Sequence, residues 1–337
     1  MLAQLNSPLA SNQRMEFAHH NRKPHGERHY NDSVSWGSRP AGDDVGADLR
    51  KAALANVPKD EAPYQKNGEM FRNFPGREGY APDFLGVALP LPQLDDSIKN
   101  QAAPLLDDPT KNELKYTHFS VIQNKERCTP MLTAVNIDGA QYEEHERDGK
   151  WVFDGRIARE HQMGNEAYSN NAIDKGHMVR RRDPMWGPVA DKGQDDTFVY
   201  TNAALQHADL NQKNWLDLEN HVLESATAGH KKVTVFTGPV LKEDDPSFNN
   251  HGKMELPTKM PREFFKVVVW NEPGQGLKSE SYVMSQADFM NKEQSHEPHI
   301  KLTEFETFRI PTTQLEAITH IDFGDLKDDC TRAQRVD

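Results

Sequence analysis

The segment KKVTVFTGPVL, residues 231–241, decides the fold of this chain. It is an almost unbroken run of apolar and β-branched residues, and EFFKVVVWN at 263–271 is a second run of the same kind. Strands that are buried on both faces have such runs, whereas half-exposed strands alternate apolar and polar residues. The two segments therefore predict strands at the centre of a sheet.

Other strands are predicted on either side of this centre. YTHFSVIQ at 116–123 and MLTAVNIDG at 131–139 alternate apolar and polar residues around a turn that contains Pro130, which is typical of a β-hairpin. SYVMSQA at 281–287 predicts a further strand, and TFRIPTTQLEAITHIDF at 307–323 predicts a strand followed by a C-terminal helix.

One long helix is predicted at 209–229, DLNQKNWLDLENHVLESATAG, with Trp215 as a core anchor and Gly229 as the C-cap. TFVYTNAAL at 197–205 predicts a strand that runs into a polar loop. These elements together indicate an α+β fold in which a central antiparallel β-sheet is flanked by helices.

The chain is expected to have four parts. A polar segment that is poor in aliphatic residues predicts a flexible tail, since it cannot bury enough apolar surface to offset its ordering entropy. A short helix is expected at 47–57, and GYAPDFLGVALPLPQL at 79–94 is expected to lie extended over the core. The predicted parts are an N-terminal tail at 1–45, an extension that packs on the core at 46–113, the main domain at 114–323 and a polar C-terminal tail at 324–337.

Composition excludes several classes of protein. The net charge of −12 excludes a polycation, so that nucleic-acid binding would need a local basic groove. Two distant cysteines, Cys128 and Cys330, exclude a zinc site built on cysteine pairs. No apolar run is long enough to span a membrane and no signal peptide is recognised. We therefore expect no membrane partner and a cytoplasmic protein by default, with export by a signal-less route as the alternative.

Three polar segments carry the chemistry: DKGHM at 174–178, TNAALQ at 201–206 and NQKNWLDLE at 211–219. A neutral His177 could take a proton from water near neutral pH. The arginines at 180–182 offer forked donors to phosphate oxygens. Taken alone, this basic segment fits a solvated surface turn as well as it fits a catalytic site that binds phosphate.

In one continuous helix, Asn211 and Glu219 would differ by about 80° around the axis and about 12 Å along it. That spacing suits a cation that is bound directly by Asn211 and reached by Glu219 through water. Oxygen ligands and retained water favour Mg²⁺, with Mn²⁺ as a substitute.

The segments DKGHMVRRRDPMWG, TNAALQHADLNQKNWLDLE, VFTGPV and FFKVVV, in this order and spacing, resemble the DNA/RNA non-specific endonucleases over roughly residues 79–323. The resemblance implies a ββα-metal (His-Me finger) active-site motif that cleaves DNA and RNA. It implies that His177 is the general base, Asn211 the direct metal ligand, and Asn202 the residue that orients the histidine or the phosphate. It also implies that Glu219 holds the water shell of the metal or protonates the leaving group, and that Gln206 supports the substrate.

The resemblance also implies an arginine that neutralises transition-state charge, which is Arg156 or, in an alternative alignment, Arg159. Arg180 and Arg181 would grip the nucleic-acid backbone. Lys175 stands where the family usually has arginine, so charge is kept and the bidentate geometry is lost.

A metal-dependent, sugar-non-specific endonuclease is the leading hypothesis. The main alternative is a catalytically impaired nuclease-like module that binds nucleic acid or a partner, and a phosphodiesterase for small nucleotides is a third. A free nuclease would be toxic, which leads us to expect an inhibitor or another regulatory partner, and a homo-oligomer is also considered.

Overall fold

The two apolar runs are adjacent strands at the centre of the largest sheet. The structure is a computed structural model that describes residues 62–147, 149–287, 307–326, 328 and 330–336. The tail expected at 1–45 and the helix expected at 47–57 lie outside the described residues.

The strands within the described residues are β1 (Tyr64–Lys66), β2 (Glu69–Arg72), β3 (Gln93–Leu94), β4 (Glu113–Lys115), β5 (Phe119–Asn124), β6 (Thr129–Asp138), β7 (Phe153–Asp154), β8 (Ile173–His177), β9 (Ala203–His207), β10 (Lys232–Val240), β11 (Ser247–Phe248), β12 (Thr258–Lys259), β13 (Glu263–Glu272), β14 (Gly276–Ser285), β15 (Thr307–Ile310), β16 (Ile321–Asp322) and β17 (Gln334–Val336).

The α-helices are α1 (Asn165–Tyr168), α2 (Ala190–Asp196), α3 (Ala208–Gln212), α4 (Asn214–Ala228) and α5 (Thr312–Thr319). Short 3₁₀ turns lie at Lys99–Gln101, Arg159–His161, Gly187–Val189 and Tyr200–Asn202.

Eight strands form the main sheet in the order β17-β15-β14-β13-β10-β6-β5-β4, and every neighbouring pair is antiparallel. The expected α+β fold with a central antiparallel sheet is confirmed. β10 and β13 lie side by side with Val235 opposite Val268, and both strands are buried over most of their length, which is why their sequences do not alternate. The predicted β5–β6 hairpin and the strand–helix pair β15–α5 are also present, but Pro130 lies in β6, where it pairs with Gln123, and not in the turn.

The core has two apolar clusters. The larger packs on the main sheet, where Phe236 and Phe265 meet Leu315 of α5 and Leu85 of the 79–94 segment. The smaller lies beside the two-stranded β8–β9 sheet and is rich in aromatic residues, among them Phe153, Tyr168 and Tyr200. The β8–β9 hairpin therefore has an aromatic cluster against one face.

The prediction of one continuous helix at 209–229 is wrong. The chain leaves the helical conformation at Lys213, with φ −121° and ψ −102°, and separates α3 from α4. The backbone N–H of Lys213 donates to the carbonyl oxygen of Leu210, which closes a tight turn at the break. The single-helix geometry inferred for Asn211 and Glu219 therefore does not apply, although Trp215 is buried as expected.

Two further segments differ from expectation. The strand expected at 197–205 begins only at Ala203, because Tyr200–Asn202 forms a 3₁₀ turn. At the other end of the chain, β17 adds an edge strand to β15 within the segment expected to be a polar tail. An edge strand needs few apolar residues, so polar composition conceals it.

Cys128 and Cys330 are free thiols. Across the described part of the chain, no helix combines the length and the apolar character needed to cross a bilayer.

Candidate active site

The β8–β9 hairpin sets the positions of the residues from the first two polar segments. β8 ends at His177, which pairs with Ala203, and Asp174 pairs with Gln206. Side chains alternate along a strand, so Lys175 and His177 project from one face while Asp174 and Gly176 project from the other.

His177 lies among aromatic rings. Its imidazole is 4.8 Å from the ring of Trp151 and 5.3 Å from that of Phe198, which it meets edge-on. The Nε2 atom is buried and has no hydrogen-bond partner among the described residues. Burial, together with the positive charges of Arg147 and Arg181, lowers the pKa of His177 to about 3. The imidazole is therefore neutral at physiological pH and able to accept a proton, and a pKa this low also makes it a weaker base than an exposed histidine.

Arg147 is the residue that sequence reasoning missed. Its side chain is exposed, and its guanidinium lies 5.4 Å from the ring centroid of Phe198, the same ring that His177 contacts. An exposed cation beside the histidine could reach a phosphate group. The segment EHERDGKW contains no local pattern that singles out this arginine, because its proximity to His177 is a tertiary contact.

The structure places Arg156 and Arg159 in ion pairs. Arg156 donates to Asp154 at 2.6 and 3.0 Å and to the carbonyl oxygen of Lys115 at 2.7 Å. Arg159 binds both carboxylate oxygens of Glu69, at 2.7 and 2.8 Å. No described hydrogen bond joins either guanidinium to His177, and neither is among the charges that shift its pKa.

The two arginines predicted to grip nucleic acid also have protein partners. Arg180 is buried and donates to Asn220 at 2.5 Å. Arg181 is half-buried and donates to Gln194 and, at 3.2 Å, to the carbonyl oxygen of His145. Arg181 contributes its charge to the environment of His177, whereas Arg180 faces the protein interior.

Lys175 is half-buried on the same face as His177. Its Nζ donates to Asn165 Oδ1 at 3.0 Å and lies 5.4 Å from the ring centroid of Tyr168 and 5.9 Å from that of Trp151. Burial lowers the pKa of Lys175, and the nearby carboxylate of Asp174 opposes the shift.

Asn202 is fully buried and binds backbone groups with its whole amide. Its Oδ1 accepts from the N–H of Val179 at 2.8 Å, and its Nδ2 donates to the carbonyl oxygens of Val179 and Thr197. These bonds hold the loop that follows His177, so the geometry fits a residue that positions the histidine and leaves no donor for a phosphate.

Gln206 presses on Gly176. A Cβ at Gly176 would lie 2.0 Å from Gln206 Oε1, so a larger residue there would require the Gln206 side chain to move. The amide of Gln206 is buried, and within the described part of the chain neither its oxygen nor its nitrogen has a hydrogen-bond partner. Unpartnered buried amides of this kind are commonly satisfied by ordered water.

Asn211 lies beside the start of β8. Its Nδ2 donates to Asp174 Oδ2 at 3.0 Å, and Gln212 donates to the same oxygen at 2.9 Å. Because a carboxylate only accepts hydrogen bonds, this contact fixes which end of the Asn211 amide faces Asp174. The amide oxygen of Asn211 then faces away from Asp174. Asp174 is a second residue whose contact the sequence reasoning missed.

Glu219 belongs to a buried charged cluster. Its carboxylate oxygens lie 3.7 Å from Arg180 Nε and 3.7 Å from Lys266 Nζ, and Asp183 is near enough to interact electrostatically. Burial raises the pKa of Glu219 although Lys266 and Arg180 oppose the rise. No described hydrogen bond or ion pair joins Glu219 to Asn211 or His177.

The β8–β9 strand pair thus places a neutral histidine near the charges of Arg147 and Arg181, and the helix that follows β9 carries Asn211, whose amide is oriented by Asp174. Residues 102–329 match the family model described as DNA/RNA non-specific endonuclease, and the chain belongs to this family. The expected family is thereby confirmed.

Curated relatives agree with this assignment. An uncharacterised protein of Sinorhizobium fredii (strain NBRC 101917 / NGR234) is 37% identical over 230 residues, which cover 64% of this chain and 34% of that protein. Mitochondrial endonuclease G is 31% identical in Bos taurus and 30% in Homo sapiens, each over 139 residues; these cover 40% of this chain and 45% and 46% of those proteins. The chain thus spans less than half the length of these relatives.

Among solved structures, a crystal structure of the EndoG/EndoGI complex, which concerns the mechanism of EndoG inhibition, has a TM-score of 0.49 and 20% identity. The match covers 64% of this chain and 86% of that chain.

Proposed function

We propose that the protein is a metal-dependent endonuclease that hydrolyses phosphodiester bonds of both DNA and RNA, with His177 as the general base. One observation carries the proposal: a neutral imidazole with a buried, unpartnered Nε2 lies beside the guanidinium charges of Arg147 and Arg181. Hydrolysis needs a base for the attacking water and positive charge near the phosphate oxygens, and this arrangement supplies both.

Arg147 takes the role that the sequence assigned to Arg156 or Arg159. Its guanidinium is exposed and near His177, whereas the other two bind carboxylates. Asn202 positions the loop after His177, and Arg181 adds charge beside it.

A divalent cation fits the residues near Asp174. Among the described residues, no group of three or more histidine, cysteine or acidic side chains could hold a metal, and we infer a cation that is bound by amide oxygen and water. The oriented amide oxygen of Asn211 would hold it. Such oxygen-rich sites prefer Mg²⁺ or Mn²⁺, which would supply positive charge to the phosphate oxygens.

The substrate preference follows from the type of contact. Arginine and metal contacts to phosphate carry little sequence information, and activity on both DNA and RNA is therefore expected. Because the net charge is −12, binding should depend on these local contacts and weaken with salt.

The test is cleavage of a supercoiled plasmid and of a structured RNA in Mg²⁺, with EDTA as a control and His177→Ala as the matched variant. We expect wild type to cut both substrates and the variant and the EDTA sample to cut neither. If wild type is as inactive as His177→Ala across a range of pH values and metals, the proposed nuclease function is refuted.

A catalytically impaired binding module is the second candidate. The protein partners of Arg156, Arg159 and Arg180 favour it, because they reduce the number of cations available to a phosphate. This candidate predicts DNA binding that is unaffected by Mg²⁺ and is not followed by cleavage. Control by an inhibitor, assembly into a homo-oligomer and a cytoplasmic location stay predictions from the sequence.

A further inference from the structure

Lys175 lies beside the proposed base on the same face of β8. The imidazole of His177 and the ammonium of Lys175 both contact Trp151, at 4.8 and 5.9 Å from its ring centroid. Residues two apart on a strand are separated by about 6.6 Å. This is the spacing of their Cα atoms, and because both side chains reach the ring of Trp151, one phosphodiester group can contact the imidazole at one end and the ammonium at the other.

The surroundings of Lys175 are built to hold an ammonium. The Nζ of Lys175 donates a hydrogen bond to Asn165 Oδ1 at 3.0 Å, and it lies 5.4 Å from the ring centroid of Tyr168. Burial lowers the pKa of Lys175, so it gives up a proton more readily than an exposed lysine, and Asp174 is the charge that opposes this shift. An arginine in its place would stay protonated.

Other proton donors fit less well. The carboxylate of Glu219 is buried against Arg180 and Lys266. The ring of Tyr168 faces Lys175, and burial raises the pKa of its phenol, which makes it a weaker acid. Lys175 is therefore the best-placed acid on the face that carries His177.

We propose that Lys175 is the general acid of the reaction and protonates the leaving oxygen of the cleaved phosphodiester. His177 takes a proton from water as the water oxygen forms its bond to phosphorus. The bond between phosphorus and the leaving oxygen breaks, and that oxygen takes the proton of the Lys175 ammonium. Imidazolium and neutral amine then exchange protons with solvent. This inference rests on the proposed function.

The experiment compares two oligonucleotide substrates, one natural and one in which the leaving bridging oxygen is replaced by sulfur. A thiol has a pKa near 8.5 and leaves without a proton donor. The variants are Lys175→Arg, which keeps the charge but is a poor acid, and Lys175→Met. Arg147→Gln is the control, because its proposed contact is with the phosphate and not with the leaving group.

We expect both Lys175 variants to lower kcat about 100-fold on the natural substrate and to cut the sulfur substrate near the wild-type rate. Arg147→Gln should slow both substrates equally. In wild type, kcat should fall at alkaline pH as Lys175 loses its proton, and this fall should be absent in Lys175→Arg.

The general-acid role of Lys175 would be overturned if its variants slowed both substrates equally, or if Lys175→Arg cut the natural substrate at the wild-type rate. Either result would leave the proposed nuclease function standing. Wild type that cuts neither substrate would instead remove the proposed function, and this proposal with it.

Discussion

The imidazole of His177 is unlike that of an exposed histidine, because its surroundings penalise the protonated form. Burial and the charges of Arg147 and Arg181 lower its pKa from 6.5 to about 3. Between these values the unfolded chain binds a proton at this residue and the folded chain does not. The free energy of unfolding must therefore fall as the pH drops from 6.5 towards 3.

His177→Ala removes this contribution. Between pH 7 and pH 5, wild type should lose about 2 kcal/mol more of its free energy of unfolding than the variant. Urea denaturation of both proteins at the two pH values measures the difference. Parallel pH dependences for wild type and His177→Ala would show that the histidine is not buried in the neutral form.

Asp174 fixes the Asn211 amide by accepting its Nδ2 hydrogen. Asp174→Ala frees the amide to rotate and should weaken Mn²⁺ binding about tenfold, as loss of a residue that orients a metal ligand commonly does. Mn²⁺ titration followed by electron paramagnetic resonance measures the affinity without any substrate.

Gln212→Ala is the matched control, since Gln212 is exposed and donates to the same carboxylate oxygen. It should bind Mn²⁺ like wild type. If Asp174→Ala also binds Mn²⁺ with the wild-type affinity, the orientation of the Asn211 amide does not depend on Asp174.

Some residues of the site could be read from the sequence and others could not. His177, Asn202 and Asn211 stand in short motifs, so local sequence was enough to propose them. Arg147 and Asp174 owe their places to contacts across 30 and 37 positions, which no local pattern records. Arg180 was expected to grip the nucleic-acid backbone, since three consecutive arginines suggest a surface, but its side chain is buried.

At the scale of elements, the β8–β9 hairpin depends on close contact between Gly176 and Gln206. An added Cβ at Gly176 would meet Oε1, Cδ and Cγ of Gln206 at 2.0, 2.4 and 2.5 Å. Gly176→Ala should therefore lower the free energy of unfolding by about 1–3 kcal/mol, the usual cost of overpacking. Gly176→Ala combined with Gln206→Ala should recover most of that loss in chemical denaturation. Additive effects of the two substitutions would show that the contact is not the cause.

The break at Lys213 marks the limit of periodicity as a guide to helices. The apolar stripe of 209–229 continues across the break, and the sequence has no proline or glycine there to announce it. The break depends on backbone torsion at Lys213, and the side chains of Asn211 and Gln212 just before it bond to Asp174 on another element. Tertiary contacts of this kind override local propensity.

At the scale of the whole molecule, a buried charged cluster joins the loop after His177 to the helix and the main sheet. Arg180 and Asp183 come from the loop, Glu219 from α4 and Lys266 from β13. Burial raises the pKa of Asp183 to about 7 against the charge of Lys266, and Glu219 adds to the rise. The cluster thus connects the element that carries the proposed base to the centre of the fold.

Lys266→Met leaves two buried carboxyl groups with Arg180 and Arg182 as the nearby cations. We expect the free energy of unfolding to fall by about 3–5 kcal/mol, and by less at low pH, where the carboxyl groups take up protons. The control is Lys242→Met, which removes a more exposed ion pair with Glu263 and should cost at most about 1 kcal/mol. Equal effects of the two substitutions in urea denaturation would show that the cluster does not stabilise the fold.

The sheet was predictable because its central strands are long, apolar runs that few other structures accommodate. The strand β17 could not be predicted in the same way, since an edge strand at Gln334–Val336 needs only backbone pairing with β15. The separate placement of the β8–β9 hairpin also depends on long-range packing against the aromatic cluster.

Chemical rescue tests most directly whether His177 is the base. His177→Gly should lose cleavage of DNA and RNA in Mg²⁺ and regain it when imidazole is added, because the free base can enter the space left by the side chain. Asn211→Ala should lose cleavage with no recovery in imidazole. Full activity of His177→Gly without imidazole, or equal recovery of both variants, would contradict the assignment of His177 as the general base.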